Sequence, residues 1–132
     1  MRLRRLIALH RELRFNVRLP AELFTEEKER REAYEGRSVL VQGVIDCIIE
    51  YPDGEIGLFD YKTDRLTREE LTDRSLAERT LTEKHKTQLS YYALAAERIF
   101  GKYPKKVGVY SLHLGDTVTV DTAAMWKERI KK

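Results

Sequence analysis

From Ser38 to Ile49 the chain runs almost without interruption through valine, leucine, isoleucine and cysteine, with one carboxylate, Asp46, set inside the run. A run of this kind reads as a buried strand, where a carboxylate without a partner is costly. A Pro52-Asp53-Gly54 turn follows, and the chain returns through Leu58-Phe59-Asp60-Tyr61-Lys62-Thr63. The segment is a hairpin, and its register decides what meets Asp46. A three-residue loop centred on Asp53, with Gly54 at positive φ, pairs Glu50 with Ile56 and places Asp46 across from Asp60, with Cβ atoms about 5 Å apart. A two-residue Asp53-Gly54 turn instead pairs Asp46 with Tyr61 and sends the two carboxylates to opposite faces. The three-residue loop is the preferred reading, because it gives Gly54 the conformation that glycine supplies.

Two carboxylates facing each other across a hairpin repel, and a divalent cation between them removes the repulsion. Hard oxygen ligands of this kind select Mg²⁺ or Mn²⁺. Lys62 stands two residues beyond Asp60, so in an extended strand both side chains leave from one face. The set Asp46, Asp60 and Lys62 suits binding and attack at a phosphate. The plainer alternative is an ordinary hairpin face on which Lys62 pairs with Asp60.

With 132 residues, 42% hydrophobic and 36% charged, the chain has material for one core. Its single cysteine, Cys47, rules out an internal disulfide and every zinc pattern built on paired cysteines. Cys47 points away from Asp46 along the strand and reads as a small core residue. Arg2, Arg4 and Arg5 precede only a short apolar stretch, Leu6 to Leu9, too short for a signal-peptide core, and no run is long enough to span a membrane. A reducing, cytoplasmic setting is expected. The net charge of +3 is mild, but both ends are cationic, with six arginines from Arg2 to Arg18 against the single acid Glu12. That suits either a solvated face or a phosphate-binding surface.

Residues 2–10 carry apolar positions at helical spacing. Glu12 to Leu19 alternates as a strand, which Pro20 ends. Residues 21–37 are highly charged and read as a surface helix or long loop. Residues 64–84 offer a Thr67-Arg68-Glu69-Glu70 capping box, but their leucines fit no regular period, which predicts a loop with short helical pieces. Lys86 to Phe100 is a helix with Leu89, Tyr92, Ala93, Ala96 and Ile99 or Phe100 inward and Gly101 past its end. Strands follow at Lys106 to Leu114 and Thr117 to Val120. Asp121 caps a short helix with Met125 and Trp126.

Three motifs stand in order: Val41-Gln42-Gly43-Val44-Ile45-Asp46, Phe59-Asp60-Tyr61-Lys62-Thr63-Asp64-Arg65, and Gln88-Leu89-Ser90-Tyr91-Tyr92 on the helix, with Arg11-Glu12-Leu13-Arg14-Phe15 before them. Together they resemble the RecB-like branch of the PD-(D/E)XK nucleases, and most closely the C-terminal nuclease domain found in bacterial ATP-dependent helicase-nucleases. The resemblance covers residues from about His10 to Val120. It implies an α/β, restriction-endonuclease-like core, with a mixed central sheet flanked by helices, and a DNA exonuclease domain of a break-repair enzyme dependent on Mg²⁺ or Mn²⁺. Asp46 and Asp60 become metal ligands with the Tyr61 main-chain carbonyl, Lys62 the group that positions water and offsets charge, and Gln88 and Tyr92 DNA contacts beside the site. A tyrosine at this spacing among Leu89, Ala93 and Ala96 equally suits a core. The family's additional histidine ligand on an upstream helix has no counterpart here, and no G-x-x-x-x-G-K motor motif occurs. His10, His85 and His113 each suit a surface or strand face better than the place of the missing ligand, although His85 stands one turn before Gln88. Residues 1–132 are therefore expected to be one truncated nuclease domain of a larger helicase-nuclease, which works beside a second subunit and without membrane contact. The alternative is a DNA-binding or scaffolding module of the same fold that does no chemistry.

Overall fold

The computed structural model describes residues 8–130 other than residue 26. Among these, five strands form one sheet in the order β1 (Ala8–Pro20), β2 (Ser38–Glu50), β3 (Ile56–Lys62), β4 (Lys106–Ser111) and β5 (Asp116–Thr119). Neighbours are antiparallel except β3 and β4, which are parallel, so the sheet is mixed as expected.

The β2–β3 hairpin takes the three-residue-loop register, with Glu50 opposite Ile56 and Cys47 opposite Phe59. Gly54 adopts φ 87°, a region where a side chain would strain the backbone. Its N–H bonds the Tyr51 carbonyl at 3.0 Å, while the Tyr51 N–H bonds the Glu55 carbonyl at 2.9 Å.

β1 contains the expected alternation, with Phe15 and Leu19 buried and Arg14, Asn16 and Arg18 exposed. It is longer than Glu12 to Leu19. The helix expected over residues 2–10 is corrected for Ala8, Leu9 and His10, which continue β1; the rest of that stretch lies outside the described residues. β2 runs on to Glu50 and offers a full edge, so Ala8 pairs with Glu50 and His10 with Ile48. His10 Nε2 lies 2.6 Å from Glu50 Oε2, and its ring centroid lies 5.5 Å from that of Phe100. A ladder of interstrand bonds outweighs the preference of a short helix, which is marginal alone.

After β1 a 3-10 turn (Ala21–Phe24) and α1 (Lys28–Ala33) cross the charged segment. The Thr67–Glu70 capping box forms as read and starts α2 (Arg68–Thr72). The following loop expectation is corrected, because α3 runs unbroken from Arg74 to Phe100. Asp73 caps it by accepting from the Leu76 N–H at 3.3 Å. The irregular leucine spacing has a physical cause. The first part of α3 buries Ala77 and Leu81 against Leu66 and Val118, whereas its later turns bury Leu89, Ala93 and Ala96 against the sheet, so no single stripe runs along it. Gly101 ends α3 in the left-handed conformation, φ 82°, and Phe100 rather than Ile99 packs on the core.

β4 and β5 are joined by a turn at Gly115, φ 76°. Asp121 accepts from the Ala124 N–H at 3.4 Å at the start of α4 (Ala123–Ile130), whose Trp126 donates to the Ser90 carbonyl at 2.9 Å. The main core lies between α3 and one sheet face, where Ile45, Ile48, Leu58, Val107 and Val109 meet Leu89, Ala93 and Ala96. No helix of the described residues is long and apolar enough to cross a membrane.

Candidate active site

The core-facing side of β3 carries Ile56, Leu58, Asp60 and Lys62 in alternation, so the apolar wall against α3 turns polar at the strand's end. Asp60 is 4% exposed. Burial, followed by contact with the Asp46 carboxyl, pushes its pKa up to about 6, against the opposing pull of Lys62. The two carboxyl groups lie within hydrogen-bonding reach of one another, an arrangement that calls for a shared proton or a cation. Lys62 Nζ sits 2.8 Å from Asp60 Oδ2.

Asp46 enters from β2, where the strand alternation breaks. Ile45 and Ile48 both pack toward α3, although an odd number of positions separates them. β1 changes phase at the same level: Leu13, Phe15 and Val17 pack inward on one side of Glu12, and His10 does so on the other. Glu12, at φ 49°, is the one non-glycine residue of the described set at positive φ, and the Glu12–Asp46 position is skipped in the ladder between Arg11–Cys47 and Leu13–Ile45. The shared kink frees the Asp46 side chain, whose Oδ2 accepts the Tyr61 main-chain N–H at 2.8 Å. In a strand, a residue's N–H and C=O leave on the same side. The Tyr61 carbonyl therefore also faces β2 and Asp46.

α3 closes the site. Gln88 Oε1 accepts from Lys62 Nζ at 3.0 Å, and Gln88 Nε2 donates to the Tyr92 hydroxyl at 3.3 Å. The Tyr92 ring also packs edge-on against Phe15, 5.3 Å between centroids, so this residue is both core and part of the polar chain. A Cβ at Gly43 would stand 2.8 Å from Phe15 Cζ and 3.2 Å from Tyr92 Cε1. The glycine three residues before Asp46 is thus where these rings reach the sheet.

The structure brings Asp46, Asp60, Tyr61, Lys62, Gln88 and Tyr92 to one place. It also places Asp64 between Lys84 and His85 of α3, with the His85 Nε2 contact at 3.0 Å. Lys84 foremost, then His85, holds the Asp64 carboxyl below its usual range, while burial pushes the His85 pKa down. These contacts tie the chain leaving β3 to the helix that carries Gln88. Sequence reading missed the role of Asp64; its position two residues past Lys62 was the available signal. Glu12 was likewise legible only as part of a strand. Cys47 is buried, as its place opposite Asp46 in the alternation predicts.

Among the described residues, no cluster of three or more His, Cys, Asp or Glu side chains could hold a metal ion. The donor set is therefore two carboxylates and a main-chain carbonyl, all hard oxygens. It fits a small divalent cation that keeps water or phosphate oxygens in its remaining positions.

The family profile described as the PD-(D/E)XK nuclease superfamily matches residues 2–130. The chain is 38% identical over 104 residues to an ATP-dependent helicase/nuclease subunit of Acetivibrio thermocellus, covering 78% of this chain and 8% of the relative. Proteins of the same name match at 32% over 114 residues in Clostridium botulinum and at 35% over 109 residues in Clostridium novyi, covering 86% and 82% of this chain. The chain spans about 8% of the length of each of these relatives.

Proposed function

The chain belongs to the PD-(D/E)XK nuclease superfamily, and from that premise we propose that it hydrolyses DNA phosphodiester bonds with the help of Mg²⁺ or Mn²⁺, as an exonuclease domain of a larger break-repair helicase-nuclease. Its substrate is then DNA, its setting the bacterial cytoplasm, and its partners the motor part of the same protein and a second subunit. The observation that carries the reading is the meeting of the Asp46 and Asp60 carboxyls with Lys62 held beside them.

Asp46, Asp60 and the Tyr61 carbonyl would hold the cation. When bound, the cation supplies charge stabilisation at the phosphate and a lowered pKa for a coordinated water. Lys62 has three N–H donors, and Asp60 and Gln88 take two. The third reaches no acceptor among the described residues, and it can bond a phosphate oxygen or the attacking water. Its positive charge offsets the negative charge that grows on the phosphorane-like transition state. Gln88, fixed in turn by Tyr92, holds the ammonium at that point, so the geometry is prepared before substrate arrives. Asp46 fixes the end of β3 through the Tyr61 N–H and so sets where Lys62 begins.

The test is cleavage of single-stranded DNA by the parent helicase-nuclease. Lys62→Ala and Asp60→Ala should each abolish cutting while leaving ATP-driven unwinding. Wild-type cutting by either variant sinks the assignment.

A second reading, a DNA-binding or scaffolding module without chemistry, draws on the donor set of only two carboxylates. It requires DNA binding by these 132 residues with no Mn²⁺-dependent cutting in the parent protein either.

A further inference from the structure

The sheet face turned away from α3 takes no part in the reaction above. Ile48, Leu58, Val107 and Val109 face the helix, so their strand neighbours point to the other side. The helices of the described residues that reach the sheet, α3 and, through Trp126 in one cluster with Leu19 and Leu94, α4, lie on that helix side, and no helix among these residues covers the outer face. Phe59 is laid flat upon it: a Cβ at Gly57 would meet the Phe59 ring at 2.9 Å, and one at Gly108 would meet it at 3.3 Å. Tyr61 follows on the same face and is 51% exposed. Its ring stands edge-on to Tyr110, with centroids 6.1 Å apart and planes at 88°, and its hydroxyl lies near the Cys47 thiol.

Tyr61 is thus an exposed ring braced from the side by Tyr110. Arg11, the residue opposite Cys47 on β1, is exposed and close enough to favour the ionised form of that thiol. The outward positions of β3 and β4, and of β1 and β2 beyond the kink at Glu12 and Asp46, contain no Asp or Glu, and Arg11 and Lys106 are their charged residues; the exposed Glu12 stands at the kink beside Arg11. An aromatic surface poor in acids, with cations at its edges, suits a strand of nucleotides, whose bases offer flat faces and whose backbone is anionic. The surface is also continuous with the site. Tyr61 lies between Asp60 and Lys62 in the chain, and Asp46 holds its N–H.

We propose that the Tyr61 ring, buttressed by Tyr110, is the stacking platform for a base of single-stranded DNA flanking the phosphate held at Lys62, with Arg11 taking the backbone on the outer sheet face. The inference rests on the nuclease reading and extends it to the path of the strand. It also makes the site tolerant of sequence, because every base has a face to stack.

The test is fluorescence anisotropy of a labelled oligo(dT) with the 132-residue chain at low salt and without divalent cation, so that nothing is cut. Tyr61→Ala should weaken binding roughly tenfold, the scale of one lost base–aromatic stack, and Tyr61→Phe should keep it. Replacing single nucleotides by abasic ones should weaken wild-type binding at one position and leave the Tyr61→Ala complex unchanged there, which a merely structural tyrosine would not produce. Tyr61→Leu, which preserves bulk, serves if the alanine variant does not fold, and should also lose the abasic effect. The inference is overturned by wild-type binding in the alanine or leucine variant, by an equal abasic penalty in both proteins, or by no binding of oligo(dT) by wild type. It is overturned too if Tyr61→Ala lowers only the melting temperature of the parent protein, which would mark the face as covered by another domain. The nuclease reading fails separately, through wild-type cutting by Lys62→Ala.

Discussion

Asp46 Oδ2 accepts the main-chain N–H of Tyr61 at 2.8 Å, in place of the Ile45 carbonyl that the register would supply. The hairpin's hydrogen-bonded pairs begin at Tyr51–Glu55 and recur at every second position, so Tyr61 is due opposite Ile45. The ladder stops at Cys47–Phe59, and a side chain finishes it. The two carboxylates therefore have different standing in the metal-free protein: Asp46 is hydrogen-bonded to main chain, whereas Asp60 is buried against it.

Asp46→Ala should destabilise the metal-free chain by about 1 kcal/mol, the usual net value of a hydrogen bond whose donor loses its partner. Asp46→Asn retains an acceptor oxygen and should lose less. Chemical denaturation of both variants checks this, and equal losses would contradict the role given to the Asp46–Tyr61 bond.

Asp60→Asn should leave the metal-free chain as stable as wild type or more so, by ~0.5 to 1 kcal/mol, the scale of a cross-strand charge pair. It should also abolish any rise in melting temperature that Mn²⁺ gives wild type, since a ligand stabilises only the state that binds it. A clear fall in metal-free melting temperature, with no Mn²⁺ effect on wild type, would make Asp60 simply the salt-bridge partner of Lys62.

The gain from Asp60→Asn should depend on pH with a definite sign. The Asp60 pKa is raised to about 6 from an ordinary 3.8. Between those values the folded chain binds more protons at this group than the unfolded chain does, so this group's contribution to stability is present at low pH and is lost as pH rises through about 6. The Asn variant should therefore gain most on wild type near neutrality and nothing near the bottom of that window. Mn²⁺ must displace the same proton, so its affinity should fall as pH drops below about 6. Burial depresses the His85 pKa, which works in the opposite direction: stability is lost as pH falls through its unfolded value of 6.5. Subtracting the Asp60→Asn melting curve from wild type at each pH removes the His85 contribution common to both.

Gly43→Ala should cost about 1 to 3 kcal/mol through overpacking, because the new methyl meets the Phe15 and Tyr92 rings. Displacing Tyr92 loosens Gln88 and, through it, Lys62, so kcat should fall in the parent enzyme along with melting temperature. A stable variant with wild-type kcat would show that the rings move aside freely.

The sequence by itself determined what depends on neighbours in the chain. The alternation of Glu12 to Leu19, the positive-φ demand met by Gly54, and the Thr67–Glu70 and Gly101 helix signals all arise from side-chain period and local backbone sterics. They were enough to set the hairpin register and so the Asp46–Asp60 facing. Only the tertiary structure decided the rest. Ala8 to His10 are strand because β2 presents an edge there, and α3 begins at Arg74 because its successive turns bury against different partners. The kink shared by Glu12 and Asp46 needs two strands to form. The Lys62–Gln88 and Asp64–His85 contacts join β3 and the chain leaving it to a helix more than twenty residues away in sequence. Tyr61 is exposed because the helices gather on the other side of the sheet. In each case the deciding free energy lies in burial and hydrogen bonding between segments remote in sequence, which no local period encodes.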